Sequence, residues 1–315
     1  MRSIQSLIGH VAKQHKYSPA TELAEGRDHE HYGIEMDASL TMKMEEFLPH
    51  IAPGFIVDGG FGTGALLNVL TNTFRESKFV GIDFSPEFVI RATRRFAKKK
   101  NIRLIRGDIR HLQTYGIHDA TTIIFSSILH EVHSYNGYDE TPVHETLVSA
   151  YKALRPGGKL LIRDGVAPSR AVVTLWCNPN DGKKDGAIKH LSTDALFRRF
   201  LKEYRHGVGC LADETKIGRK KCFTLRARDA YEFLTKKDYR LHWELEVHEE
   251  FGFWHRREWE LALERAGFKN VIITEIKNPW VIKNRFQGHV ALYDPSTGQK
   301  VPFFPTNISV VATKE

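Results

Sequence analysis

Three stretches of this chain carry residue types that could do chemistry. The first is VDGGFGTGAL at 57–66, with four glycines in six positions directly after an apolar run. Without a Cβ, glycine lets backbone pass close to a bound molecule. The second is FSSILHEVHSY at 125–135, which gathers His130, Glu131 and His133. In a helix His130 and His133 fall within one turn and Glu131 points elsewhere. The ordinary pKa of histidine suits proton transfer near neutrality, so His130 is the first candidate for a general base. Glu131 is a candidate for orienting a loop or a substrate amine. The third is LHWELEVHEEFGFWHRREW at 241–259, a crowd of histidines, acids and aromatics. Within it His248, Glu249, Phe253 and Trp254 are candidates for a substrate wall, the aromatics supplying area and the polar groups direction. The same mixture would also serve plain packing. No metal site is expected, because Cys177, Cys210 and Cys222 lack CxxC spacing and the histidines and acids show no specific ligand spacing.

The elements that must position these residues alternate. FIVDGG (55–60) reads as a buried strand, because its apolar residues are consecutive. GALLNVLTNTF is a helix and FVGIDF a second strand. SPEFVIRATRRFAKKK is a helix with Ser85 as N-cap, Pro86 at its first position and Glu87 in its first turn. IRLIRGD and ATTIIFSSIL are the third and fourth strands. VHETLVSAYKAL is a helix, and RPGG turns the chain into the fifth strand, KLLIRD. Sequential strands separated by helices predict an α/β fold with a doubly wound, mostly parallel, seven-stranded sheet. The rhythm stops at 165. Residues 166–254 read as a largely helical insertion. NVIITEI is a sixth strand, and HVALYD and NISVVATK are expected to close the central sheet as antiparallel-prone strands. The expected organisation is an N-terminal helical extension or lid at 1–50, a cofactor-binding core at 51–165, the insertion at 166–254, and the C-terminal part of the core sheet at 255–315.

Bulk properties narrow the classes. An apolar fraction of 41% over 315 residues argues for a folded globule. No apolar run approaches a membrane span, and the N-terminus lacks the apolar segment of a secretory signal. Sparse cysteine makes a cytoplasmic setting the expectation. The net charge of +8 favours anionic partners weakly, and the basic clusters at 91–100, 183–190 and 217–222 keep RNA open. The aromatic signatures of RNA-binding modules are absent.

The glycine loop can be weighed against this frame. A nucleotide P-loop needs a lysine, and here Gly64 is followed by Ala65 and Leu66. Gly60, Gly62 and Ala65 satisfy a dinucleotide G-x-G-x-x-A pattern, with Asp83 at the end of the next strand, so an NAD(P)-dependent oxidoreductase is an alternative. Other segments separate the readings. Asp58-x-Gly60-x-Gly62-x-Gly64, Asp83 in GIDFS, Asp108 and Ile109 in RGDIRHL, TTIIFSSILHEV and ALRPGGKLLIRD resemble, in order, the motifs of the class I S-adenosylmethionine-dependent methyltransferases. The resemblance covers roughly 50–165, with weaker support at 255–276 and 288–312.

That resemblance implies a Rossmann-like core, S-adenosylmethionine as cofactor, and an insertion at 166–254 that covers the substrate. It implies that Gly60, Gly62 and Gly64 present backbone to the carboxypropyl portion, and that Asp58 anchors the loop or the donor's amino group through water. Asp83 would receive the ribose hydroxyls and Asp108 the adenine amino group, with Ile109 and Phe84 against the ring. Phe125 and Ser126 would flank the sulfonium region. Gly59 is an extra glycine, there for closer packing or a tight corner. The expected function is methyl transfer to a small-molecule or peptide-like acceptor, at oxygen or nitrogen rather than carbon, with RNA methylation as an alternative. FSSI stands where base-amino methylators often carry a D/N-P-P-Y/F signature.

Overall fold

The structure is a computed structural model that describes residues 40, 41 and 43–315. Most of the expected N-terminal extension therefore lies outside the described residues. Residues 40, 41 and 43–47 are helical and bury Leu40, Met44 and Phe47.

The central sheet has seven strands in the order β3-β2-β1-β4-β5-β12-β9. These are β1 (Phe55–Gly59), β2 (Lys78–Asp83), β3 (Ile102–Arg106), β4 (Ala120–Ser126), β5 (Leu154–Asp164), β9 (Lys269–Ile276) and β12 (Asn307–Thr313). The first five run parallel, and β12 lies antiparallel between β5 and β9. Helices α1 (Ala65–Thr73), α2 (Pro86–Phe96), α3 (Leu129–Ser134) and α4 (Thr141–Ala153) make the crossovers. Ser85 caps α2 as its sequence predicts, its hydroxyl accepting from the Phe88 N–H. Both faces of the sheet are covered, which is why β4 buries consecutive rather than alternating residues.

The region after β5 departs from expectation. It carries α5 (Thr193–Gly207), α6 (Ala227–Lys236) and α7 (Trp243–Glu246), but also β6 (Val172–Cys177), β7 (Ala212–Ile217) and β8 (Lys220–Arg226). With β10 (Val290–Tyr293) and β11 (Lys300–Val301) these strands form a second, antiparallel sheet in the order β11-β10-β6-β8-β7. HVALYD, expected in the central sheet, thus belongs to the second one, and 290–301 belong structurally with the insertion. Strand character is local, but the choice of partner is made by packing. Val290 and Leu292 pair with Cys177 and Leu175, inside an apolar cluster that includes Phe197, Phe200, Phe223 and Phe233.

The insertion is locked onto the core. Glu232 and Lys236 form a fully buried ion pair on α6. The Glu232 carboxylate also accepts from the Phe251 N–H at 2.9 Å and the Gly252 N–H at 2.6 Å. This pins residues 251–252 against the end of β5, where a Cβ on Gly165 would stand 2.0 Å from the Phe251 carbonyl oxygen.

Gly59 has a steric reason. Its register partner on β4 is Phe125, and a Cβ on Gly59 would lie 2.5 Å from that ring. A Gly59→Ala variant is expected to lose about 1–3 kcal/mol by overpacking, read as a lower midpoint in thermal unfolding followed by circular dichroism.

Candidate functional site

A cavity of about 1090 Å³ opens at the carboxyl ends of the parallel strands, where open α/β sheets place their ligands. Gly60 and Gly62, after β1, line it with left-handed φ of 73° and 51°. A Cβ on Gly60 would meet Ile128 at 2.5 Å. Gly64 does not line the cavity. It holds φ 72° at the N-cap of α1, where the chain turns into the helix.

Asp83, ending β2, lines the cavity and accepts from the Gly62 N–H at 2.8 Å and the Ser85 N–H at 2.9 Å. Each carboxylate oxygen keeps a lone pair for a hydroxyl donor. Burial raises its pKa against those two hydrogen bonds. Phe84 follows on the rim, 75% exposed, an apolar ring left for a planar group to cover. Ile109 lines the same wall. Asp108 is there too, but its carboxylate already accepts from the Arg110 N–H, Nε and a terminal nitrogen. Burial works to raise its pKa, and Arg110 outweighs that and holds it low. An adenine amino group would have to share this carboxylate with Arg110.

Beneath the glycine loop, Asp58 is buried on β1 and its Oδ2 has no hydrogen-bond partner among the described residues. Burial, opposed by Lys43 and aided by Asp83, pushes its pKa up to about 7. Ser126, ending β4, lines the cavity with its hydroxyl also unpartnered. Phe125, expected beside it, is fully buried under Gly59 and does not line the cavity; alternation along β4 turns it to the opposite side. Lys43 was not singled out from sequence. It is 7% exposed, borders both the cavity and Asp58, and makes no hydrogen bond to a described residue. Burial, then Arg163, lower its pKa to about 8.

The open glycine backbone, the Asp83 carboxylate, the bare Phe84 ring and the unpartnered Asp58 and Ser126 fit the ribose, base and amino-acid ends of S-adenosylmethionine. Lys43 adds a cation suited to its carboxylate. A Lys43→Met variant is expected to bind S-adenosylhomocysteine about tenfold more weakly or worse, measured by calorimetry.

The other side of the cavity is built from α3, the end of β5 and the segment after α7. His130 is 7% exposed and lines the cavity. Its Nδ1 meets Asp164 Oδ1 at 2.6 Å, its Nε2 faces Glu249 Oε2 at 3.4 Å, and its ring packs on Phe251. Asp164 is itself held by the N–H groups of Leu129, His130 and Gly165. Burial opposes the charged ring, but Asp164 and then Glu249 hold the His130 pKa well above its usual value. Glu249 lines the cavity and accepts from the Tyr135 hydroxyl at 2.6 Å. Glu131 lines it as well, and His130, Glu131 and Glu249 each bring a ligand atom within 4.8 Å of the others. No metal-ligating group was expected here from spacing, because Glu249 arrives from a distant part of the chain.

Other sequence candidates are placed elsewhere. His133 turns away from the cavity, its Nε2 3.1 Å from Glu250 and its ring stacked on Phe253. His248 stacks on His206 and does not line the cavity. Phe253 and Trp254 are buried in the core with Trp259 rather than forming a substrate wall. The wall also holds Phe251, one of the crowd in the third stretch, and two residues that were not singled out, Asp164 and Glu246. Asp164 could have been read as an acid at the end of the fifth strand, and Glu246 and Phe251 lie inside the third stretch.

Comparison with known proteins agrees with this geometry. Residues 56–158 match the methyltransferase domain family model. The small-subunit ribosomal RNA methyltransferase H of Coprothermobacter proteolyticus is 34% identical over 104 residues, 31% of this chain and 35% of that protein. The chain thus spans about a third of that relative's length. An S-adenosylmethionine-dependent methyltransferase from Archaeoglobus fulgidus superposes with a TM-score of 0.50 at 11% identity, over 91% of this chain and all of that one, which shows the shared fold. Human N-acetylserotonin methyltransferase, solved with S-adenosylmethionine, gives a TM-score of 0.47 at 14% identity over 99% of this chain and 66% of its own. Among the described residues no helix is long and apolar enough to cross a membrane. Residues 56–158 thus match a methyltransferase domain, and they are set in this sheet around this cavity.

Proposed function

We propose that the protein transfers a methyl group from S-adenosylmethionine to a small-molecule or peptide-like acceptor, at oxygen or nitrogen, with His130 taking the acceptor's proton. The observation that carries this is the pairing of His130 with Asp164 at 2.6 Å, on a cavity wall shared with Ser126 and the glycine loop. When bound, the cofactor supplies a methyl carbon activated by sulfonium. Asp164 fixes the ring plane and holds the proton on Nδ1, which leaves Nε2 as the acceptor. The imidazolium formed by proton transfer is stabilised by Asp164 and Glu249. Phe251, pinned by Glu232, covers the His130 ring and excludes water from it. In this reading the insertion at 166–254 covers the acceptor, and the bulk setting is cytoplasmic.

Titration of the protein with S-adenosylhomocysteine is expected to give a saturable heat in the micromolar range; no heat sinks the reading. The match of residues 56–158 to a methyltransferase domain favours methyl transfer over the NAD(P) reading of Gly60, Gly62 and Ala65. A second reading, RNA methylation, is favoured by the ribosomal RNA methyltransferase relative and the net charge of +8. Binding of bulk RNA that persists at moderate salt, with a methylated product, would select it.

A further inference from the structure

Glu246 has no part in proton transfer at His130, yet it is 9% exposed, lines the cavity, and its carboxylate makes no hydrogen bond or ion pair with a described residue. It stands with Glu131 and Glu249 on the acceptor wall. The cations packed nearby are committed elsewhere. Lys236 is held by Glu232, while Arg205 and Arg228 face Glu250 at 3.6 and 3.7 Å. His130 is hydrogen-bonded to Asp164 and faces Glu249, and Lys236 acts on Glu246 and Glu249 only through space. Keeping the Glu246 carboxylate buried without a hydrogen-bond partner is costly unless a ligand donor or cation meets it.

We propose that Glu131, Glu246 and Glu249 seat a positively charged amine of the acceptor, so that the methylated atom is nitrogen. This rests on the methyl-transfer reading above. The ammonium lies between the carboxylates, with the half-exposed Tyr135 ring beside it to add cation–π attraction. His130 Nε2 takes one N–H proton, and the freed nitrogen lone pair forms the new N–C bond. The electrons of the broken C–S bond go to sulfur. The product nitrogen is again cationic, and the same carboxylates hold it. A divalent ion would use the convergence of His130, Glu131 and Glu249 differently. It would have to enter between Nε2 and Glu249, which already face each other at 3.4 Å, whereas an ammonium needs the carboxylates alone.

The test uses the full chain saturated with S-adenosylhomocysteine and ligand-observed NMR. Phenethylamine, tryptamine and 1,5-diaminopentane are compared with 2-phenylethanol, tryptophol and 1,5-pentanediol. The amines are expected to bind in preference to the matched alcohols. Glu246→Gln and Glu249→Gln are expected to weaken the amines about tenfold or more and to leave S-adenosylhomocysteine affinity unchanged. Equal behaviour of amines and alcohols, no binding of either, or an amine preference untouched by both variants overturns the proposal. So does Mn²⁺ binding at micromolar concentration that displaces the amines, which would make the site a metal site. Failure of S-adenosylhomocysteine itself to bind would instead sink the methyl-transfer reading. A second measurement needs no ligand: Glu246→Gln raises the thermal midpoint at pH 8 if the buried carboxylate is kept for a cation, and lowers it if that carboxylate serves the fold.

Discussion

Replacing His130 by asparagine lowers turnover by about 10²- to 10⁴-fold, the range for losing a positioned proton acceptor, while S-adenosylhomocysteine still binds. The split follows from placement. His130 lines the acceptor side of the cavity, and the glycine loop, Asp83 and Phe84 line the other. Asn keeps a polar group near Asp164 but cannot take a proton from the acceptor. The pH profile adds a readout that a merely structural residue would not move. Burial opposes the imidazolium, but Asp164 and Glu249 hold the His130 pKa well above its ordinary value. The neutral, competent form therefore grows in only above the ordinary histidine range, and the acidic limb of kcat/KM is displaced to higher pH. Asp164→Asn removes the larger of the two favourable partners, so its limb moves back toward lower pH. The same shift has a stability sign. A raised histidine pKa contributes stability in full below the unfolded value, and that contribution is lost as pH rises through the folded one. Turnover of His130→Asn within a few-fold of the parent protein, or a limb at the ordinary histidine position, would remove the assignment.

Asp58→Asn has two effects of opposite sign. It weakens S-adenosylhomocysteine binding and stabilises the ligand-free protein at pH 8. Asp58 is buried with Oδ2 unpartnered among the described residues, and its pKa is about 7 against an unperturbed 3.8. A carboxylate whose folded pKa is raised costs nothing below its unfolded value; the cost grows as pH climbs and is complete above about 7. Its upper bound is about 4 kcal/mol. Part of that relief is offset by the buried amide, which brings its own unmet hydrogen bonds at about 1–3 kcal/mol. The expected result is a higher thermal midpoint at pH 8, no gain at pH 4, and looser binding through loss of the charge proposed to address the donor's amino group. A midpoint that falls at both pH values would show that Asp58 anchors the loop, and unchanged affinity would show that it does not address the donor.

Local features were legible because they depend on residues a few positions apart. The order of β1 to β5 followed from alternating apolar runs and helices, the start of α2 from Ser85 and Pro86, and the bend after β1 from Gly60 and Gly62. His130 and Glu131 could be placed at the carboxyl end of the sheet because they follow the fourth strand directly. Sequence by itself therefore determined the core sheet, the glycine backbone beside the cavity and part of one cavity wall. Tertiary structure decided the rest, because it depends on which distant surfaces meet. Gly59 is a glycine because β4 lays Phe125 beside it. Val290–Tyr293 is a strand by composition, but an apolar cluster in the insertion chose its sheet. Phe253 and Trp254 looked like pocket aromatics and are core, while Glu246, Glu249 and Phe251 from the same stretch reach the cavity. That division is set by the backbone between α7 and α8 (Arg256–Arg265), which buried Glu232 holds in place through the N–H groups of Phe251 and Gly252. No periodicity encodes a loop fixed by an acid on another helix, so the acids facing His130 emerge only once the chain is folded.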